Sequence, residues 1–188
     1  MEDLLSIIQP KSVLDCAFGT GRWIPQYTKN EINVVGIDAS ADMLQQAQEK
    51  LKKFSSKEQI KFRLKQGNIF SPNKLSTPTP PDLGVCIRFL NWVDLSAAEK
   101  ALCAIRSNNS LDTIVGASVI PSNTMPACRL VHKLGVKWAN RKQGPKQYVH
   151  DESELIKIFE RLGWIVSSKR LIVRRYSRTN YFYHLKHC

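Results

Sequence analysis

The sequence predicts an α/β protein with a mostly parallel sheet of seven strands, helices on both faces and an antiparallel strand at its C-terminal end. Four units, each a strand-like apolar run with its connection, lead to a fifth strand, and the connections after the first, second and fourth strands have helical spacing. Parallel neighbours need long right-handed crossovers, and each predicted helix supplies one. The 188 residues, of which 43% are hydrophobic, suit one domain, residues 1–188, with a core of its own.

The first two strand–helix units occupy residues 12–54. Residues 12–15 form a short apolar run that leads through a glycine-containing turn into a helix over 22–27. The second strand, residues 32–38, ends in the acid Asp38. Ser40 is placed to cap a helix over 41–54, in which apolar residues recur at helical spacing.

Three further strands are predicted between residues 60 and 120. Residues 60–65 alternate between apolar and basic, which predicts a half-exposed edge strand. A proline-rich connection over 72–81 precedes a buried strand over 83–89 and a helix over 95–106. Residues 113–120 make the fifth strand, which Pro121 ends.

The C-terminal part begins with residues 122–148, which have no clear period and are interpreted as a partly helical lid or substrate loop. In residues 151–188, Asp151 starts a helix with Glu154 at capping-box spacing, and Gly163 ends it. Runs over 164–176 and 180–185 are separated by only a few polar residues. They therefore predict an antiparallel pair that closes the sheet.

The charge of the chain is concentrated in its last third. The net charge is +12, and residues 129–188 hold 14 Lys and Arg against 4 Asp and Glu. Such asymmetry favours an anionic partner, whether a nucleic acid, a phosphorylated small molecule or an acidic lipid, although a solvated basic face would have the same composition.

Other features of composition narrow the class of protein. The five cysteines are scattered, without CxxC or zinc-type spacing, so reduced thiols and no metal site are expected. No apolar run approaches the roughly 20 residues that span a bilayer. The N-terminus carries acids where a secretory signal needs positive charge, so a cytoplasmic protein is expected.

The loop after the first strand, residues 15–21 (Asp-Cys-Ala-Phe-Gly-Thr-Gly), is the first candidate binding feature. Its small residues let backbone N–H groups approach a ligand closely. About 20 residues later Asp38 ends the second strand, where a carboxylate can accept both ribose hydroxyl protons of an adenosine-type ligand. The loop lacks the Walker pattern, which disfavours an NTPase, and it lacks the full G-x-G-x-x-G pattern, which disfavours a dinucleotide enzyme.

Three successive segments now carry a resemblance: Val13–Arg22 (VLDCAFGTGR), Val35–Leu44 (VGIDASADML) and Gly67–Ile69 (GNI). In order and spacing they are similar to the motifs of class I S-adenosylmethionine-dependent methyltransferases, and closest in character to the ubiquinone-biosynthesis group. The resemblance covers residues 12–120. It implies a Rossmann-like fold, with 12–120 as the core that binds S-adenosylmethionine and releases S-adenosylhomocysteine.

The same resemblance implies roles for individual residues. The loop after the first strand would hold the amino-acid end of the cofactor, Asp38 its ribose, and the remaining positions its adenine and the sulfonium. The implied cofactor-binding residues are Asp15, Cys16, Ala17, Gly19, Asp38, Ala39, Met43, Asn68, Ile69, Arg88 and Phe89. Met43 fits a buried helix face at least as well as an adenine contact. Two positions depart from the family pattern. Ala17 replaces a glycine, which is tolerated if its φ is negative, and Asn68 replaces an acid.

Methyl transfer from a sulfonium is an in-line displacement, so positioning matters more than a strong base. The candidates for a catalytic role are Arg88 and His150, and those for the acceptor pocket are Trp92, Trp138 and Arg141. The segment after the fourth strand lacks the Asn/Asp-Pro-Pro-Tyr/Phe signature, and Cys86 lies within a strand. Methylation of DNA bases is therefore disfavoured.

The acceptor stays open at this stage. Only residues 1–11 precede the first predicted strand, so the roof of an acceptor pocket must come from 122–148 or from a partner chain, such as a second copy in a homodimer. A small anionic or lipid-like acceptor is the leading interpretation. RNA bound through the basic C-terminal third is the alternative, and a lyase or a non-catalytic partner subunit that binds S-adenosylmethionine is a third.

Overall fold

The computed structural model describes residues 1–70, 80–108, 112–139, 146–175 and 178–187. The α/β class is confirmed, and these residues contain eight strands where seven were predicted. The additional strand has only two residues, too few to leave a periodic signal in the sequence. In chain order the elements are α1 (Glu2–Ile8), β1 (Ser12–Cys16), α2 (Ile24–Lys29), β2 (Asn33–Asp38), α3 (Ala41–Leu51), α4 (Ser56–Gln59), β3 (Phe62–Gln66), β4 (Leu83–Ile87), a short 3-10 helix (Leu90–Trp92), α5 (Leu95–Asn108), β5 (Asp112–Ile120), α6 (Pro126–Ala139), β6 (His150–Asp151), α7 (Glu152–Arg161), β7 (Trp164–Arg175) and β8 (Arg178–His187).

The chain divides into two compact units. The first comprises Met1–Cys86 and Cys103–Thr113, and the second comprises Ile87–Leu102 and Ile114–Cys188.

In the first unit the strands run in the order β3-β2-β1-β4, with parallel pairing throughout. Asp15 of β1 is opposite Gly36 of β2 and Val85 of β4, so the three strands end at the same edge. The loops that follow β1 and β2 therefore emerge side by side. This is the edge at which ligands bind in parallel α/β sheets.

Helix α3 begins as the sequence predicts, because the Ser40 hydroxyl accepts the N–H of Met43 at 3.3 Å. Leu44, Ala47 and Leu51 form its buried face. Met43 is 42% exposed, so its interpretation as a core residue was wrong. It precedes Leu44 by one position, which turns it about 100° away from the buried face.

In the second unit β6 pairs in parallel with β5, and β8 lies between β5 and β7. β7 and β8 form the predicted antiparallel pair, from Trp164 opposite His187 to Arg175 opposite Arg178. Helix α7 starts at Asp151, whose carboxylate accepts the N–H of Ser153 at 3.1 Å.

One predicted strand boundary needs correction, and parts of two predicted segments lie outside the described residues. The fourth strand ends at Ile87 instead of residue 89, because Arg88 has φ of 69° and leaves the extended conformation. Within 122–148 the structure contains one regular helix, α6. Residues 71–79 of the proline-rich connection and 140–145 of the lid segment lie outside the described residues.

Among the described residues no helix combines the length and apolar character needed to cross a bilayer.

Candidate active site

The loop after β1 has an alternating left-handed backbone. Ala17, Gly19 and Gly21 have φ values of 60°, 59° and 67°. A Cβ at Gly19 would lie 4.0 Å from its nearest neighbour, the Ala17 carbonyl oxygen, whereas a Cβ at Gly21 would come within 2.3 Å of Ile24. Gly21 is therefore required by packing against α2. Gly19 leaves open space beside the loop backbone, which a ligand can approach.

An alanine at position 17 was expected to be tolerated if its φ were negative, and the φ of Ala17 is positive. An alanine in this conformation costs about 1–2 kcal/mol relative to the right-handed region. The loop keeps the backbone path of a glycine at this position and carries the strain of a Cβ. Such strain is typical of sites where geometry serves a ligand.

Phe18 holds this loop against β2 in two ways. Its backbone N–H donates to the Ile37 carbonyl at 3.0 Å, and its ring lies over Gly36. A Cβ at Gly36 would come within 2.7 Å of the Phe18 ring and 2.8 Å of Leu64. Gly36 therefore makes room for Phe18 in the core of the first unit.

Asp38 connects the two loops at the carboxyl edge of the sheet. One carboxylate oxygen accepts the N–H of Gly19 at 2.7 Å, and the other accepts the N–H of Ser40 at 2.9 Å. Each oxygen keeps a second lone pair, and the side chain is half-buried. The carboxylate is thus fixed in place and still able to accept two hydroxyl groups.

Asp15 lies at the start of the same loop, buried, and accepts a hydrogen bond from the Tyr27 hydroxyl at 2.8 Å. Burial raises the pKa of Asp15 to about 7. The Tyr27 hydrogen bond opposes that shift, and the charge of Asp38 adds to it. Burial also raises the pKa of the Cys16 and Cys86 thiols, so both stay protonated and act as core groups. No sequence signal had identified Tyr27 as the partner of Asp15.

The positions assigned to the adenine side differ in exposure. Ala39 and Asn68 are exposed, whereas Ile69 is buried. The Asn68 side-chain oxygen accepts the N–H of Phe70 at 3.0 Å, which uses one of its two lone pairs. The Ala39 carbonyl accepts a hydrogen bond from Gln66 at 3.2 Å.

In the second unit Arg88 and Phe89 begin the turn after β4. Arg88 is exposed and left-handed, and Phe89 is half-buried. Asn91, which sequence reasoning missed, anchors this turn. Its side-chain oxygen accepts the N–H of Ser118 at 2.8 Å, and its carbonyl accepts the N–H of Tyr148 at 2.8 Å. The only sequence signal was a polar residue between the apolar Leu90 and Trp92.

His150 also stabilises the turn after β4. It is buried, and its Nε2 lies 2.7 Å from the Leu90 carbonyl oxygen, so this nitrogen carries the proton and donates. Burial lowers the pKa of His150, against the opposing effect of that hydrogen bond. The imidazole is therefore neutral near pH 7 and holds the turn after β4 through its backbone.

The acceptor-pocket candidates are only partly described. Trp92 lies in the 3-10 helix and is 43% exposed. Trp138 belongs to α6, and Arg141 lies outside the described residues. In the described part of the chain no group of three His, Cys, Asp or Glu side chains could hold a metal ion.

The fold and the loop geometry define a Rossmann-like protein with a ligand-binding edge at β1 and β2. A family model described as "Methyltransferase domain" matches residues 13–108. The chain belongs to this methyltransferase-domain family, which confirms the resemblance seen in its motifs. The likeness to the ubiquinone-biosynthesis group stays a prediction. No curated protein matches the sequence.

Several solved structures share the fold. Magnesium protoporphyrin IX methyltransferase from Synechocystis PCC 6803, solved with bound S-adenosylhomocysteine, is 17% identical over 100% of this chain and 80% of its own, with a TM-score of 0.74. The mitomycin 7-O-methyltransferase MmcR is 12% identical over 100% of this chain and 52% of its own, with a TM-score of 0.72. The methyltransferase domain of bacterial CtHen1-C is 16% identical over 98% and 93%, with a TM-score of 0.66.

Replacing Ala17 by glycine removes the left-handed strain without disturbing the loop. We expect Ala17→Gly to raise the free energy of unfolding by about 0.5–1 kcal/mol, measured by urea denaturation. The matched control is Ala39→Gly, an exposed alanine without positive φ, which should be neutral or slightly destabilising. Equal changes in the free energy of unfolding for the two substitutions would show that the backbone of Ala17 is not strained.

The buried carboxyl of Asp15 predicts a pH dependence of stability. Between the unfolded pKa of 3.8 and the folded value of about 7, the folded state holds a proton that the unfolded state has released. The contribution of Asp15 to stability therefore falls as pH rises through this window, by up to about 1.4 kcal/mol per pH unit, and levels off above it.

The measurement is the difference in unfolding free energy between the wild type and Asp15→Asn at several pH values from 5 to 8. Asn keeps an acceptor for Tyr27 and cannot ionise. We expect the wild type to lose stability relative to the variant as pH rises. Asp42→Asn makes the same change at an exposed position and serves as the control. A flat difference for Asp15→Asn would show that its pKa is near normal.

Proposed function

We propose that this protein is an S-adenosylmethionine-dependent methyltransferase that transfers the methyl group to a small anionic or lipid-like acceptor by in-line displacement. The observation that carries the proposal is the Asp38 carboxylate, fixed by the N–H groups of Gly19 and Ser40 beside an open left-handed loop. Membership of the methyltransferase-domain family supports it.

The residues present fit the cofactor. The space beside Gly19 accommodates a ligand against the loop backbone, and Asp38 retains lone pairs for a ribose diol. In this proposal the loop from Asp15 to Gly19 holds the amino-acid end, and Asn68 and Ile69 flank the base. When bound, the cofactor supplies a methyl carbon activated by its sulfonium. The work of the chain is to hold that carbon and the acceptor in line.

Asp15 has a role in the same proposal through its charge. With a pKa of about 7 it is partly protonated at neutral pH, and a cationic amino group bound nearby would favour its ionised form. The Tyr27 hydroxyl keeps the carboxyl oriented in either state. Residues 12–120 would thus form the cofactor core of a single domain, with 122–148 covering the acceptor.

The anionic acceptor is inferred from charge. Residues 129–188 carry an excess of ten positive charges, and Arg88 is exposed after β4. A positive field of this kind raises the local concentration of an anionic substrate. Among the solved structures with this fold, the mitomycin 7-O-methyltransferase is named for a small-molecule acceptor. A proton acceptor on the protein is optional for this reaction, so neither Arg88 nor His150 needs to act as a base.

Removal of the Asp38 carboxylate tests the cofactor site. We expect Asp38→Ala to weaken the binding of S-adenosylmethionine and S-adenosylhomocysteine by at least about 30-fold in calorimetry, because two hydrogen bonds to a charged group are lost. The control is Asp42→Ala, an exposed acid four residues later, which should bind as the wild type does.

A third variant, Asp38→Asn, keeps one acceptor oxygen for the loop N–H groups. It therefore distinguishes a loss of cofactor binding from a loss of folding. We expect it to fold as the wild type does, checked by circular dichroism, and to bind with intermediate affinity. A folded Asp38→Ala with unchanged affinity would remove Asp38 from the cofactor site.

Transfer of label from methyl-radiolabelled S-adenosylmethionine into an extract tests the reaction and the acceptor class. We expect label in the small-molecule or organic fraction, insensitive to ribonuclease, with matching formation of S-adenosylhomocysteine and none with Asp38→Ala. Label released by ribonuclease would replace the proposed acceptor by RNA. Consumption of the cofactor without S-adenosylhomocysteine would indicate a lyase, and binding without transfer a non-catalytic subunit.

A further inference from the structure

Helix α6 carries apolar side chains that the described part of the protein leaves exposed. Leu130, Val131 and Leu134 are 57 to 69% exposed, and Met125 just before the helix is 71% exposed. Leu130 and Leu134 are four residues apart and Val131 is adjacent, so the three side chains lie on one side of the helix. We refer to Met125, Leu130, Val131 and Leu134 as the α6 apolar face.

The sequence around this face contains cations and no acids. From Thr113 to His150, a stretch of 38 residues, there is no Asp or Glu. The cations in this stretch are Arg129, Lys133, Lys137, Arg141, Lys142 and Lys146. Lys133 and Lys137 each follow a leucine of the α6 apolar face by three residues in the sequence.

The first turn of α6 is fixed to the start of α7. The Arg129 guanidinium donates to the Asp151 carboxylate at 2.6 Å and to the carbonyls of Ser122 at 2.8 Å and Thr124 at 3.1 Å. This ion pair is partly buried, with the Asp151 side chain only 10% exposed. Arg129 therefore anchors the first turn of the helix, and Leu130, Val131 and Leu134 remain exposed.

We propose that α6 docks this protein on the surface of an anionic lipid bilayer. At 14 residues the helix is about 21 Å long, too short to cross the roughly 30 Å hydrocarbon core, so it lies in the interface. Aliphatic side chains beside lysines are the composition of such interfacial helices, in which apolar burial and attraction to anionic headgroups add. A continuous negative surface is the partner that complements a segment without acids.

RNA and a protein are the other classes of partner for a basic surface. Single-stranded nucleic acid is bound by stacking on aromatic rings, and the four described side chains of the α6 apolar face are aliphatic or methionine. A protein partner would need a groove matched to the face together with an acidic rim. A bilayer requires neither.

Vesicle flotation with the full chain, without cofactor, tests the proposal. We expect binding to phosphatidylcholine vesicles that contain about 30% phosphatidylglycerol to be at least tenfold stronger than to phosphatidylcholine alone, and to weaken at high salt. The double variant Leu130→Gln with Leu134→Gln should reduce the partition coefficient about tenfold or more. Lys133→Gln with Lys137→Gln should do likewise and reduce the salt dependence.

Two matched controls carry the same chemical changes elsewhere. Ile60→Gln replaces an apolar residue that is 82% exposed in the first unit, and Lys53→Gln with Lys57→Gln removes the same charge from exposed positions. Both should bind vesicles as the wild type does. Circular dichroism of every variant checks the fold.

Several outcomes would overturn the proposal. These are no vesicle binding, equal binding to both vesicle compositions, the same loss in the controls as in the α6 variants, and α6-dependent binding of a single-stranded RNA oligonucleotide with none to vesicles. The proposal does not rest on methyl transfer. Vesicle binding is measured without S-adenosylmethionine, and cofactor binding is measured without vesicles, so failure of one leaves the other standing.

Discussion

The pair of hydrogen bonds accepted by Asp38 is the constraint on which the candidate site depends. Through Gly19 the carboxylate holds the loop after β1, and through Ser40 it holds the start of α3. Parallel pairing of β1 with β2 makes this possible, because it brings both strand ends to one edge. The remaining lone pairs of the same carboxylate stay available to a ligand. One side chain thus organises both loops and, in the proposed function, offers acceptors to the ribose.

The fold and the loop could be predicted from the sequence because they rest on local patterns. Strand and helix alternation predicted the α/β class, and the glycine positions predicted the turn after β1, which Asp38 contacts at the carboxyl edge of the sheet. The hydroxyl of Ser40 capped α3 as expected. These features depend on residues close together in the chain, where composition and spacing determine the conformation.

The parts that escaped prediction depend on contacts between distant residues. Tyr27 bonding to Asp15, and Asn91 bonding to both Ser118 and Tyr148, have no signature in sequence spacing. Exposure is equally non-local. Met43 fits a helix core by its residue type, and the orientation of α3 places it outside. Ala17 retains the left-handed path of a glycine because the hydrogen bond between Gly19 and Asp38 fixes the loop around it.

In the first unit, the loop after β1 contains two features that raise the free energy of the folded state. Ala17 is strained, and Asp15 is a buried carboxyl whose ionisation is resisted by burial and by the charge of Asp38. A ligand that binds only the folded state adds stability through its binding free energy. A cationic group beside Asp15 would favour its ionised form, and hydroxyl groups would use the lone pairs that remain on Asp38. The charges of the unbound loop therefore support the proposed cofactor, a molecule with an amino group at one end and a diol at the other.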